Sequence, residues 1–231
     1  MDPLIVDVYA GDLNGAPDWD KLVAAGPPWH GAIIKATEGL HYAPPWFGFQ
    51  WQAIEQAAGS RLGDDFFRGT YHYLHFALPG ADQADYFADL VQKAGGWRLG
   101  DLPPVVDVES ANNAGCSRPQ VEECVGAFVA RMHERGCPEV ILYGGSLLYD
   151  LGITDHMGCS DLWVARYTPT LPEHVYQRIG WDAPALWQYC GDGESYLKDY
   201  PSVSPIGKVD ISAVIKNGGG NYAVEWMRGV R

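Results

Sequence analysis

The chain has 231 residues, 47% hydrophobic and 19% charged, which is enough for one sizeable core and, in a barrel, for a single domain. A net charge of −13 with no basic stripe or tail argues against nucleic acid as a partner. No apolar run approaches the ~18 residues needed to cross a bilayer, and the start MDPLIVDVYAGDLNGAPDW has no positive n-region, so neither membrane insertion nor a signal peptide is expected.

Eight apolar runs rich in Val, Ile and aromatic residues, bounded by Gly, Pro, Asn or Asp, read as strands. LIVDVY (4–9) comes first, followed by a helix in DWDKLVAAG that is capped by Asp18 and stopped by Gly26. GAIIKA (31–36) precedes a helix over 46–59, GTYHYLHF (69–76) a helix over 82–96, and PPVVDVE (103–109) a helix over 118–136. In that last helix Val121, Cys124, Val125, Phe128 and Met132 form an i, i+3, i+4 stripe. EVILYG (139–144), DLWVARY (161–167), ALWQYC (185–190) and KVDISAV (208–214) follow with short polar connections. Nearly continuous hydrophobicity in several runs suits a parallel sheet buried on both faces. The alternation predicts an α/β fold, a modified (β/α) TIM-like barrel of eight strands with reduced helices in its C-terminal half. The expected domain is 1–217; residues 218–231, which open on NGGGNY without its Asn, read as a tail or the start of a linker.

Carboxylates gather at the strand ends. Asp107 and Glu109 flank one valine, so they share a strand face with Cα atoms roughly 6.6 Å apart. Working residues of such barrels sit at C-terminal strand ends. Asp7 is near the end of the first run, Glu38 follows the second and Asp210 lies in the last; closure would make the first and eighth strands neighbours and bring Asp7 to Asp210. Paired carboxyls without histidine or metal spacing are the working parts of glycoside hydrolysis. Burial and the Asp107 charge are both expected to keep Glu109 protonated as the acid. No metal or cofactor is expected.

The motifs VDV around Asp7, DW (18–19), IIKATEG (33–39), YHY (71–73), QADYF (83–87), LPPVVDVE (102–109), LWVARY (162–167), LWQY (186–189) and GKVDIS (207–212) together resemble glycoside hydrolase family 25, the muramidases (lysozymes) that cut peptidoglycan between N-acetylmuramic acid and N-acetylglucosamine. The resemblance spans nearly the whole chain. It implies a somewhat flattened β/α barrel and a retaining hydrolase acting on bacterial peptidoglycan glycan strands, with Glu109 as proton donor. It implies that Asp107 acts on the substrate's 2-acetamido group, with Asp7, Glu38 and Asp210 as supporting carboxylates. Tyr9, Asp12, Pro44 and Val214 depart from the family pattern and bear on subsite shape. With no leader in view, a phage endolysin that passes from the host cytoplasm to the wall is expected, or else a secreted bacterial autolysin, in either case a monomer.

Nine Trp and thirteen Tyr are a heavy aromatic load, and aromatic rings can cover the apolar faces of sugars. Tyr71, Tyr143 and Trp187 are the nominated subsite residues; barrel packing is the competing reading for each. His72 and His75, three apart in a strand, face opposite sides and do not suit a shared metal. The five cysteines are odd in number and lack CxxC spacing, so at least one is a free thiol; a Cys116–Cys124 bridge is compatible with the spacing but not established by it. The rival functions are a wall-binding barrel without chemistry and an unrelated α/β enzyme. The latter would need a phosphate loop, and LYGGSL (142–147) lacks the GxGxxG spacing.

Overall fold

The computed structural model describes residues 1–9, 16–216 and Met227. Its strands are β1 (Leu4–Val8), β2 (Trp29–Glu38), β3 (Phe67–Tyr73), β4 (Val105–Val108), β5 (Ile141–Gly144), β6 (Asp161–Ala165), β7 (Leu186–Gly191), β8 (Glu194–Ser195) and β9 (Asp210–Val214). The helices are α1 (Trp19–Ala24), α2 (Phe47–Ala58), α3 (Gly80–Lys93), α4 (Arg118–Glu134), α5 (Ser146–Asp150) and α6 (Glu173–Gln177). Strands pair in the order β6-β5-β4-β3-β2-β1-β9-β7, and β6 meets β7 to close the ring. β8 is a two-residue arm on β7.

The expected barrel of eight strands is therefore present, with one correction. β1 to β7 pair in parallel, but β9 runs antiparallel to both β1 and β7. A parallel return needs a crossover connection, usually a helix, and no helix lies between β7 and β9. The chain therefore comes back from the mouth rather than from the base. Asp210, the first residue of β9, reaches the mouth only because of that reversal.

Local signals set the helix ends. The Asp18 side chain accepts from the Lys21 N–H at 2.9 Å and caps α1. Gly59 closes α2 with a φ of 53°, a backbone region that glycine enters freely. The expected stripe of α4 is buried throughout. α3 starts at Gly80, ahead of the expected Asp82, and a Cβ there would lie 2.0 Å from the Cys124 carbonyl oxygen. The missing side chain is what lets α3 lie against α4. Helices α5 and α6 have five residues each.

Period-2 alternation sorts each strand into two faces. Leu4, Val6, Val106, Val108, Leu142 and Leu162 face outward, into the layer beneath the helices. Ile5, Ile33, Phe67, Val105, Ile141, Leu186 and Val214 face inward and pack an apolar plug at the base. Further along the same inward face stand Asp7, Lys35, Tyr71, Asp107, Tyr143 and Gln188. One alternation thus makes both the dry base and the polar mouth. Met227 is buried in the plug; the rest of the expected tail, like Asp12, lies outside the described residues. The five cysteines are free thiols, so the Cys116–Cys124 bridge is not formed.

Candidate active site

Asp7, Asp107, Glu109 and Asp210 line one cavity of about 150 Å³, together with Tyr71, Tyr143, Trp163, Tyr167 and Gln188. Asp7 and Asp210 are direct partners across β1 and β9. Two carboxylates in that relation repel one another, and Gln188 answers both. Its Nε2 donates to Asp7 Oδ2 at 3.0 Å and to Asp210 Oδ2 at 3.1 Å. Its Oε1 accepts from the hydroxyls of Tyr143 at 2.8 Å and Tyr167 at 2.7 Å. Trp163 stands edge-on to Tyr143 with centroids 4.7 Å apart, and its indole N–H donates to Ser212 Oγ at 2.9 Å.

Asp107 is 5% exposed, and its Oδ1 is buried without a hydrogen-bond partner. Burial first, then the charge of Glu109, pushes its carboxyl well above the usual range; Lys35 opposes this, and Asp7 and Glu38 add to it. Glu109 is also raised, by burial, against the pull of Lys35 and the Tyr143 hydroxyl. Burial lifts both carboxyls, and the repulsion between them belongs to the pair. Two interacting acids in one site titrate as a pair, so the two of them retain a proton to a higher pH than either would alone in water.

Lys35 is the cation of the site and was not singled out from the sequence. Its Nζ pairs with Glu38 Oε2 at 2.6 Å and lies 4.8 Å from the ring centroids of Tyr9 and Tyr73 and 5.7 Å from that of Tyr42. The Tyr9 and Tyr42 hydroxyls meet at 2.7 Å, completing an aromatic wall around the ammonium.

Two nominated residues stand elsewhere than expected. Glu38 does not line the cavity; it sits beside Lys35, with His75 Nε2 3.0 Å from its Oε1. Burial pushes the Glu38 carboxyl up, but the Lys35 and His75 hydrogen bonds outweigh it and hold the carboxyl below its ordinary value. Trp187 faces the outer layer, where its indole N–H donates to the Arg166 carbonyl at 2.7 Å. The cavity residue of β7 is its neighbour Gln188. The signal was in the strand: a single amide inside LWQYC, in phase with Leu186.

Beyond Glu109, two further hollows lie near the ends of β4 to β6. A hollow of about 460 Å³ is lined by Glu109, Ser110, Ser146, Arg166, Tyr167 and Thr168 among others. Another of about 200 Å³ follows, bordered by Asp150, Arg166 and His174.

A β/α barrel whose mouth holds two proton-retaining carboxyls, supporting acids and aromatic walls has the equipment of a glycoside hydrolase. The model of the glycosyl hydrolases family 25 matches residues 6–196, and the chain belongs to that family. The uncharacterized protein YegX of Escherichia coli O6:H1 is 26% identical over 163 residues, which cover 71% of this chain and 53% of YegX. N,O-diacetylmuramidase from Chalaropsis sp is 39% identical over 109 residues, 44% of this chain and 48% of that protein. The chain thus spans about half the length of the curated relatives it matches. The crystal structure of a bacterial lysozyme from Streptomyces coelicolor superposes with a TM-score of 0.76 at 26% identity, covering 100% of this chain and 99% of the other. A family 25 glycosyl hydrolase from Bacillus anthracis shares the fold at a TM-score of 0.72 and 23% identity, with 94% and 90% covered.

Proposed function

We propose that the chain is a muramidase that hydrolyses the β-1,4 bond between N-acetylmuramic acid and N-acetylglucosamine in bacterial peptidoglycan, with retention of configuration. The observation that carries this reading is the Asp107–Glu109 pair on one cavity, with Asp107 Oδ1 buried and unpartnered. A buried acceptor without a donor is costly unless a ligand supplies one, and the N–H of a sugar's 2-acetamido group is such a donor. Glu109, kept protonated by burial, gives its proton to the leaving glycosidic oxygen. Asp107 then holds the acetamido group so that its carbonyl oxygen attacks the anomeric carbon, forming an oxazolinium intermediate. Glu109, now ionised, takes a proton from the water that opens the intermediate, which returns the original configuration. Asp7 and Asp210, fixed by Gln188, set the negative field that favours the developing oxocarbenium charge. The role we assign is lysis or turnover of the bacterial wall.

The test is to digest purified peptidoglycan, reduce the products with borohydride and identify the ends. N-acetylmuramitol with a β-configured initial product supports the reading. N-acetylglucosaminitol, or α-configured product, counts against it. A wall-binding barrel without chemistry would bind the walls and release no ends.

A further inference from the structure

We propose that Arg166 is a specificity residue that binds a carboxylate carried on the muramyl substituent of the glycan. This deepens the muramidase reading and rests on it for the identity of the polymer. Among the described residues, every other arginine donates a side-chain hydrogen bond to a neighbouring group. Among those described residues the Arg166 guanidinium has no such partner, and Arg166 lines both of the hollows that lie beyond Glu109.

Its backbone, by contrast, is held from two sides. The Arg166 N–H donates to the Gln188 carbonyl at 3.0 Å, and the Trp187 indole donates to the Arg166 carbonyl at 2.7 Å. The Cα is fixed while the charged end is left available. Ser110 and Ser146 line the same hollow and add hydroxyl donors. The surroundings are otherwise hostile to anions: Glu109 borders the hollow, Asp150 the next one, and the chain carries a net −13. A free cation there selects for a substrate group of opposite charge. Neutral sugar hydroxyls do not need a guanidinium, whereas its planar fork matches a carboxylate with two parallel hydrogen bonds. In peptidoglycan the carboxylates hang from the muramyl lactyl group, either directly or at the end of an attached peptide.

The experiment measures binding rather than turnover, by calorimetric titration of Glu109→Gln protein with three soluble glycan fragments. One is stripped of peptide and exposes the lactyl carboxylate, one bears peptides with free carboxylates, and one bears the same peptides amidated. Adding Arg166→Gln is expected to weaken at least one carboxylate fragment about fivefold more than the amidated one, with Arg166→Lys restoring part of the loss. Whichever carboxylate fragment responds identifies the source. Equal losses on all three, or no loss on any, overturn the proposal. Because no bond is cut, this result stands apart from the end-group assay that decides the muramidase reading.

Discussion

Replacing Asp107 with asparagine should make the protein more stable at pH 7 while removing most of its activity. The Asp107 carboxyl is raised in the folded protein, by burial first and by Glu109 second, so folding favours its protonated form. A raised acid contributes its full stability below the unfolded value of about 3.9 and loses it as the pH climbs through the folded value. Glu109 is raised in the same sense. Wild-type stability should therefore fall as the pH rises above the unfolded carboxyl value, and the fall should be smaller in Asp107→Asn, which has lost one of the two raised carboxyls. Asparagine leaves a polar atom at the orphaned Oδ1 position but removes the ionisable carboxyl buried beside Glu109, which places the gain at pH 7 on the order of 1–2 kcal/mol, or about 3–6 °C in Tm. Activity should drop by about 10²–10³, as when a preorganised transition-state contact is removed. Thermal unfolding of both proteins at unit steps from pH 4 to pH 8 reads the effect. An Asp107→Asn protein less stable than wild type at pH 7, or a difference that does not change with pH, would refute the reasoning.

Gln188→Leu removes two donations to carboxylates and two acceptances from phenols at once. It should cost about 3 kcal/mol in urea unfolding and lower kcat; a loss under about 1 kcal/mol would mean that the amide does not hold the acids. Gly80→Ala sets a Cβ against the Cys124 carbonyl at 2.0 Å and should destabilise by about 1–3 kcal/mol as α3 is pushed off α4. Gly126→Ala, inside α4 with nothing within 4 Å of the new carbon, should instead stabilise by about 0.5–1 kcal/mol. Urea midpoints of the two alanine variants should move in opposite directions.

Much of the mouth was legible because it follows from the period of a strand. Asp107 and Glu109 share a face wherever β4 lies, whereas Asp7 meets Asp210 through closure of the barrel together with the reversed direction of β9. The direction of β9 was hidden, because a strand buried on both faces has the same composition whichever way it runs; the cue was the missing helix after β7. Residue type points to Trp187 as a sugar contact, whereas the phase of Leu186 puts Gln188 on the inward face. Lys35 reads in the sequence as one more residue of IIKATEG. Its effect on Asp107 and Glu109 depends on distances across three strands, which spacing within one strand does not report.

The central claim, that Glu109 supplies the proton, is tested most directly by the rate at which Glu109→Gln releases N-acetylmuramitol ends from reduced peptidoglycan digests. The account predicts a fall of about 10³ or more relative to wild type, with wall binding retained. A rate within tenfold of wild type would contradict it.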